Sequence, residues 1–178
     1  MKQTGPAPGV PAPFDQARLE ALYTRLERPV YNVVYRWVWS EEDAAEIVQE
    51  AFVRLWMMRD RVRLETAKPL VYRIALNLAR KRRRWRRLRT FVGLDEQTTP
   101  AHAEAALLSA ERAATARQAV ESLPEELRSV MLLCHYSGLS YREIGEALSI
   151  PEGTVASRRN TALKRIQASL EEAHEPHG

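Results

Sequence analysis

The chain has 178 residues, enough for one sizeable domain or two small ones. Hydrophobic residues make up 45% of the chain and charged residues 28%, and no run approaches the roughly 18 apolar residues of a membrane span. The N-terminus also lacks the apolar core of a signal peptide, so we expect a cytoplasmic protein without membrane insertion. The single cysteine, Cys134, excludes an internal disulfide, and the four histidines show no zinc-binding spacing, so no metal or cofactor is expected.

The net charge of +4 is unevenly distributed along the chain. Eight of the ten residues from Arg80 to Arg89 are Lys or Arg. Acidic residues gather elsewhere, at Glu41, Glu42, Asp43, Glu46, Glu50, Glu171, Glu172 and Glu175. Surfaces of opposite sign suit different partners, and the basic surface suits a polyanion.

The N-terminal half predicts a tail followed by helices. Residues 1–13 hold four of the ten prolines and are expected to be disordered. Helical spacing of apolar residues then begins near Phe14, and Pro29 is expected to start a second helix after a bend. Ser40 is the predicted N-cap of the next helix, which should run to about Met58. Its predicted buried stripe is Ala44, Ile47, Val48, Ala51, Leu55 and Met58, and its predicted polar face is Asp43, Glu46, Gln49, Glu50 and Arg54.

Residues 59–68 have no apolar period and predict a charged loop, after which Pro69 should open a helix that continues into the basic run. Within that helix, Tyr72, Arg73, Asn77 and Arg80 combine aromatic, amide and cationic groups. Such a mixture suits binding of unstacked bases, although Tyr and Asn on an amphipathic helix are often structural. The basic run itself fits a polyanion better than a solvated helix end or an anionic lipid surface, because it has little apolar face to insert.

Residues 91–110 are the predicted linker, and no alternating strand pattern appears anywhere in the chain. Residues 105–120 can form a helix with a thin apolar face. A stronger helix is expected to open at Pro124 and to close at Gly138. We therefore predict an all-α protein with two small helical modules, residues 14–90 and 111–172, and a short tail at residues 173–178.

Residues 139–167 have the pattern of a helix-turn-helix, with an ordinary helical hairpin as the alternative. Ser140 and Glu143 have the spacing of a capping box, and Gly145 allows close approach of the next helix. Pro151 and Gly153 mark the turn. The apolar side of the second helix is predicted to carry Val155, Ala162 and Ile166, and its polar surface Thr154, Ser157, Arg158, Arg159, Asn160 and Lys164.

Three segments carry a resemblance to the bacterial RNA polymerase sigma factors. DAAEIVQEAFVRLW at residues 43–56 resembles their polymerase-binding helix, and PLVYRIALNLAR at residues 69–80 resembles their helix for the promoter −10 element. SLPEELRSVMLLCHYSGLSYREIGEALSIPEGTVASR at residues 122–158 resembles their −35 module. The match runs in order through residues 14–170. Its two-module form is similar to the extracytoplasmic-function subgroup of the sigma-70 family.

This resemblance implies partners and site residues for a protein without catalytic residues. The partners would be promoter DNA, an anti-sigma factor and core RNA polymerase. The polymerase would be contacted at the clamp helices of its largest subunit and at its flap region. The loop at residues 59–68 would capture a flipped base. Polymerase binding would involve Asp43, Glu46, Gln49 and Glu50; −10 binding would involve Tyr72, Arg73, Asn77, Arg80 and Lys81; −35 binding would involve Thr154, Ser157, Arg158, Arg159, Asn160 and Lys164.

The chain also departs from the family pattern at Leu70, Ala156, Arg159 and Thr161, so no promoter sequence is carried over. The residues between Arg89 and Glu111 could span roughly 70 Å at about 3.3 Å each, which exceeds the roughly 50 to 60 Å between two promoter elements. A stand-alone helix-turn-helix regulator is the alternative function. It would leave the acidic helix unexplained and would usually need a dimer. A nucleic-acid enzyme lacks support from any metal-ligand cluster or nucleophile–base pair.

Overall fold

The computed structural model describes residues 14–91 and 107–173. Over these ranges the regular structure is entirely helical, as the all-α prediction requires, and no strand is present. The elements are α1 (Gln16–Val38), α2 (Glu41–Met57), a 3-10 turn (Arg59–Arg61), α3 (Leu64–Phe91), α4 (Leu107–Ser122), α5 (Glu125–Tyr136), α6 (Tyr141–Leu148) and α7 (Glu152–Glu172). The predicted disordered N-terminus, residues 92–106 of the predicted linker, and residues 174–178 lie outside the described ranges.

The chain divides into two compact units between Arg82 and Arg83. This boundary falls inside α3, whereas the linker was predicted to begin only at residue 91. Helix α4 begins at Leu107, so the last residues of the predicted linker are helical. The functional boundaries at residues 90 and 111 remain predictions.

Helix α1 is one continuous helix, so the predicted break at Pro29 is wrong. The Asp15 carboxylate caps its first turn by accepting from the Arg18 N–H at 3.0 Å. Proline has a backbone angle that fits a helix and removes only one donor. Buried apolar side chains continue through Pro29, and their packing outweighs the lost hydrogen bond; they are Leu22, Leu26, Val30, Val33, Val34, Trp37 and Val38.

Helix α2 packs against α1 and begins at the predicted cap, where the Ser40 hydroxyl accepts from the Asp43 N–H at 3.3 Å. Its buried stripe differs from the prediction at one end. Met58 lies beyond the helix and is 43% exposed, whereas Phe52 is buried with its ring edge-on to Tyr23 of α1, 4.9 Å between centroids. The aromatic contact between the two helices therefore replaces the expected methionine contact.

Helix α3 begins at Leu64, so residues 59–68 are not the charged loop that was predicted. The Thr66 N–H and hydroxyl both donate to the Arg63 carbonyl at 3.1 Å, which closes the first turn. Pro69 lies inside the helix and is buried. Good helix formers precede the proline and only Val62 and Ala67 of this segment are buried, so the helix has no apolar period for a sequence pattern to detect.

A buried arginine joins α4 to α5 in the second unit. Arg128 is 3% exposed, and its guanidinium donates to the carbonyls of Val120 (3.1 Å), Leu123 (2.9 Å) and Glu121. These carbonyls end α4, where a helix leaves acceptors without intrahelical donors and where a positive charge is favoured. Arg128 therefore determines how the chain turns from α4 into α5.

The helix-turn-helix consists of α6 and α7. The Ser140 N–H donates to the Glu143 carboxylate at 2.7 Å and the Glu143 N–H donates to the Ser140 hydroxyl at 3.2 Å, which confirms the capping box. A Cβ on Gly145 would lie 2.7 Å from the Ile150 carbonyl oxygen and 3.7 Å from the backbone N of Glu152, so the glycine admits the turn backbone and the first residue of α7. Val155 and Ala162 of α7 are buried as predicted, whereas Ile166 is only half-buried.

Candidate nucleic-acid and protein interfaces

The predicted polymerase-binding residues on α2 separate into an exposed group and a buried one. Glu46 and Gln49 are exposed, and the half-buried Glu50 forms an ion pair with Arg54 at 2.6 Å, one helical turn away. Asp43 was predicted on the polar face but is 6% exposed. Asp43 therefore lies on the buried side of α2, which corrects the prediction. It lies there because it forms an ion pair with α3.

Arg82 of α3 makes that ion pair and a second one. Its guanidinium binds the carboxylates of Asp43 and, at 2.8 Å, Glu46. The hydrogen bond to Glu46 and the charge of Asp43 raise the pKa of Arg82 above its ordinary value, against the opposing effect of burial. One cation of the basic run is therefore committed to joining α2 and α3. The sequence places this arginine 36 residues beyond Glu46 and carries no signal of the pairing.

Three predicted −10 residues form one exposed row along α3. Arg73, Asn77 and Lys81 follow each other at four-residue intervals, so they lie on the same side of the helix, and all three are exposed. Arg80 is half-buried beside this row; its guanidinium donates to the Asn77 side-chain oxygen at 3.3 Å and lies 6.0 Å from the centroid of the Trp37 ring. The contact with Arg80 orients the Asn77 amide.

Tyr72 does not belong to the exposed row. It is 0% exposed and forms part of the core of the first unit. A ring without accessible faces cannot stack on a base in this conformation, so its predicted place among the −10 residues is corrected to a packing position.

The distal part of α3 carries exposed cations and apolar groups together. Arg84, Arg87 and Arg89 are exposed, and more than half of the Trp85 and Leu88 surfaces is accessible. This composition fits the predicted contact with a polyanion, because cations bind phosphates and an exposed indole can stack on a base.

An exposed apolar patch at the end of α2 was missed by sequence reasoning. Met57 is 74% exposed, and Val53, Met58 and Leu64 each expose more than 40% of their surface. The Arg59 guanidinium lies over the nearby Trp56 ring, 4.7 Å from its centroid. The hydrophobic run at residues 55–58 is typical of a buried segment. Because α2 ends at Met57, part of this run is exposed instead.

The predicted −35 residues on α7 also divide by exposure. Ser157, Asn160 and Lys164 are exposed together with Thr161, whereas Thr154 and Arg159 are half-buried. The Ser157 hydroxyl donates to the Thr154 carbonyl at 3.1 Å, so its oxygen remains an acceptor toward solvent. The remaining residue, Arg158, is paired with Glu126 of α5 at 2.6 Å.

Cys134 of α5 was expected to be buried but is half-buried. Burial raises the pKa of its thiol above the ordinary value, and the positive charge of Arg159 on α7 partly opposes that effect. Arg159 therefore lies on the side of α7 that packs against α5.

Within residues 14–91 and 107–173, no three His, Cys, Asp or Glu side chains are placed to hold a metal ion. Over the same ranges, no helix combines the length and apolar character needed to cross a bilayer.

Comparison with known proteins assigns both units. Residues 22–89 match sigma-70 region 2, and residues 114–166 match sigma-70 region 4. The chain is 30% identical over 170 residues to the RNA polymerase sigma-H factor of Pseudomonas aeruginosa, covering 88% of each chain. It is 33% identical over 173 residues to the ECF RNA polymerase sigma-E factor of Escherichia coli, again covering 88% of each. With the ECF sigma factor SigL of Mycobacterium tuberculosis it shares 31% identity, over 90% of this chain and 93% of the relative.

Solved structures have the same fold. CnrH, in complex with the cytosolic domain of CnrY, gives a TM-score of 0.66 at 22% identity over 90% of this chain and 92% of that one. RpoE from Bartonella quintana, in complex with the anti-sigma factor NepR, gives a TM-score of 0.59 at 21% identity over 87% and 92%.

A region 2 module followed by a region 4 helix-turn-helix defines a transcription initiation factor of the sigma-70 type. The chain belongs to the extracytoplasmic-function subgroup of that family. It is an alternative sigma factor, which initiates transcription with RNA polymerase, and sigma factors are not catalytic enzymes. The match to region 2 accounts for the acidic helix that a stand-alone helix-turn-helix regulator leaves unexplained.

Proposed function

We propose that this sigma factor binds its promoter at two sites, the −10 and the −35 elements, while α2 binds core RNA polymerase. The exposed row of Arg73, Asn77 and Lys81 on α3 carries the proposal, because it joins two cations and an amide on one face. The cations suit phosphates and the amide suits a base edge, which is the combination needed for a melted −10 strand. Arg80 supports the row by orienting Asn77. Tyr72 contributes only to the core beneath it.

The polymerase surface in this proposal consists of Glu46, Gln49 and Glu50 on α2. Glu46 and Gln49 are exposed, and the exposed Met57 and Val53 extend the same helix with apolar area. Interfaces favour an apolar centre with a polar rim, and this helix offers both. Asp43 supports the surface from behind through Arg82. The helix-turn-helix module would add the contact with the polymerase flap region.

Helix α7 would meet the −35 duplex in the major groove, which admits one α-helix. Ser157, Asn160 and Lys164 are the exposed groups that would face the DNA, and Thr154, Arg158 and Arg159 lie at the edge of this surface. The hydroxyl and amide can bond base edges, while Lys164 suits a phosphate.

Regulation by an anti-sigma factor is part of the proposal, because the related RpoE was solved in complex with one. We also place the chain in the cytoplasm, where its polymerase partner works, and assign it no catalytic residue of its own.

Run-off transcription with purified core polymerase tests the proposal. The template is a promoter selected from random duplexes by the wild-type holoenzyme. We expect the Gln49→Ala variant to lose co-elution with core. The Asn77→Ala variant should co-elute normally but form open complexes at least several-fold more slowly, as scored by permanganate reactivity of melted thymines. Equal loss of core binding and melting in Asn77→Ala would contradict the assignment, and absence of any transcript dependent on the chain would contradict the function itself.

A further inference from the structure

An ion pair ties the edge of the DNA-facing helix to its neighbour. The Arg158 guanidinium of α7 lies 2.6 Å from the Glu126 carboxylate in the first turn of α5. The Arg158 side chain is 27% exposed and that of Glu126 is 70% exposed, so the carboxylate stands in solvent at the rim of the DNA-facing surface. A bare arginine at this position would be a ready phosphate contact.

The position of Arg158 on α7 matters for what it can reach. Ser157, Asn160 and Lys164 occupy the exposed centre of the helix, whereas Arg158 lies at the flank that faces α5. A flank residue of a helix seated in the major groove meets the sugar-phosphate backbone before it meets a base edge. The native partner of Arg158 is therefore an acid at the flank of α7 where the DNA backbone would pass.

The carboxylate also opposes any phosphate that Arg158 contacts. A phosphate on the same guanidinium would lie about 6 to 8 Å from Glu126, given hydrogen bonds of about 2.8 Å on both sides of the group. Repulsion between unit charges at that separation, at an effective dielectric between that of water and that of a protein surface, weakens such a contact about three- to tenfold. An exposed ion pair adds little stability of its own, so a purely stabilising role explains little.

We propose that Glu126 limits how strongly α7 binds duplex DNA of any sequence, because it withholds Arg158 from phosphate contacts. With the cation neutralised, the flank of α7 adds little affinity for duplex DNA, and binding depends on the polar groups at the centre of the helix. The inference rests on the proposed role of α7 at the −35 duplex.

Binding of the full-length chain to a 30-base-pair random-sequence duplex tests this without polymerase. Fluorescence anisotropy between 100 and 200 mM KCl gives the affinity and its salt dependence. We expect Glu126→Gln to bind about three- to tenfold more tightly. The slope of log K against log salt should steepen by about 0.9, the value for one added phosphate contact.

Two further variants make the assignment specific. Glu172→Gln removes the same charge from the exposed end of α7, 14 residues from Arg158. That is roughly 21 Å along the helix, beyond the Debye length of about 10 Å at 0.1 M salt, so binding should stay at the wild-type level. In the Glu126→Gln, Arg158→Gln double variant the gain in affinity should disappear, and Glu126→Asp should restore weak binding.

Three results would overturn the proposal. They are equal affinity of the Glu126→Gln and Glu172→Gln variants, a gain that persists without Arg158, and a loss of about 0.9 in slope when Arg158→Gln is made alone. The last would mean that Arg158 already contacts a phosphate in the native protein. Failure of any kind here leaves the sigma function intact, because that function is scored by core-dependent transcription. In the holoenzyme, Glu126→Gln should raise the affinity for a selected promoter and for one with a scrambled −35 element by the same factor, because a phosphate contact carries no sequence information.

Discussion

Removing the Arg128 side chain should destabilise the C-terminal module more than any change at an exposed arginine. The guanidinium is buried and donates to carbonyls of three residues at the end of α4. Arg128→Ala leaves the carbonyls of Glu121 and Leu123 without this donor, whereas that of Val120 keeps the Leu123 N–H at 3.3 Å, and each unsatisfied buried group costs about 1 to 3 kcal/mol. Water can reach some of them, because Val120 and Glu121 are half-buried, so we expect a total near the low end, about 3 kcal/mol. A module of this size has roughly 3 to 10 kcal/mol of stability in all.

The tryptophan distribution allows the two modules to be followed separately. Trp37, Trp39 and Trp56 lie in the first unit, and the fourth tryptophan, Trp85, is exposed on the distal part of α3, so fluorescence changes report mainly the first unit, whereas helical ellipticity reports both. In a urea titration, Arg128→Ala should shift the ellipticity transition of the C-terminal module by about 3 M, at about 1 kcal/mol per molar urea. The tryptophan fluorescence midpoint should stay unchanged.

Two matched variants test the reasoning behind this number. Arg142→Ala removes the same charge from an exposed position on α6 and should leave both midpoints in place. Arg128→Lys keeps the charge but replaces the donors on Nε and Nη2 of the planar guanidinium with N–H groups on a single nitrogen, which cannot take both positions, so it should recover only part of the loss. Equal ellipticity midpoints for Arg128→Ala and Arg142→Ala would refute the role of Arg128.

Two other predictions concern the C-terminal module. Gly145→Ala should lower stability by about 1 kcal/mol in the same titration, because overpacking against the Ile150 carbonyl costs more than the roughly 1 kcal/mol of helix propensity gained. Gly153→Ala meets no neighbouring atom within 4 Å and should stabilise instead, so shifts of the same sign would contradict the close-approach argument. The Cys134 thiol should react with a disulfide reagent at pH 8 more slowly than in the urea-unfolded chain, because burial raises its pKa and reduces the thiolate fraction. Arg159→Gln should slow it further, and a faster reaction would contradict the attraction between that cation and the thiolate.

Local interactions explain why much of the helical architecture could be predicted from the sequence. The capping box of Ser140 and Glu143 lies within four residues, and the cap at Ser40 lies within one turn. The N-terminal boundaries of α2 and α6 therefore needed no knowledge of the rest of the chain. The prolines misled the same reasoning, because the tolerance of α1 for Pro29 and of α3 for Pro69 depends on packing along the helix.

The sequence by itself determined the all-α class, the helix-turn-helix and the family, because periodicity, caps and ordered motifs are all read along the chain. The tertiary structure decided which candidate residues are available for binding. Tyr72 and Asp43 look like surface residues in a helical pattern, yet one lies in the core and the other pairs with Arg82. The pairing of Glu126 with Arg158 joins residues 32 positions apart, and such a contact exists only after α5 and α7 pack together. Charge in a sequence shows that a cation is present, but whether it is free to meet DNA depends on the acid that folding places beside it.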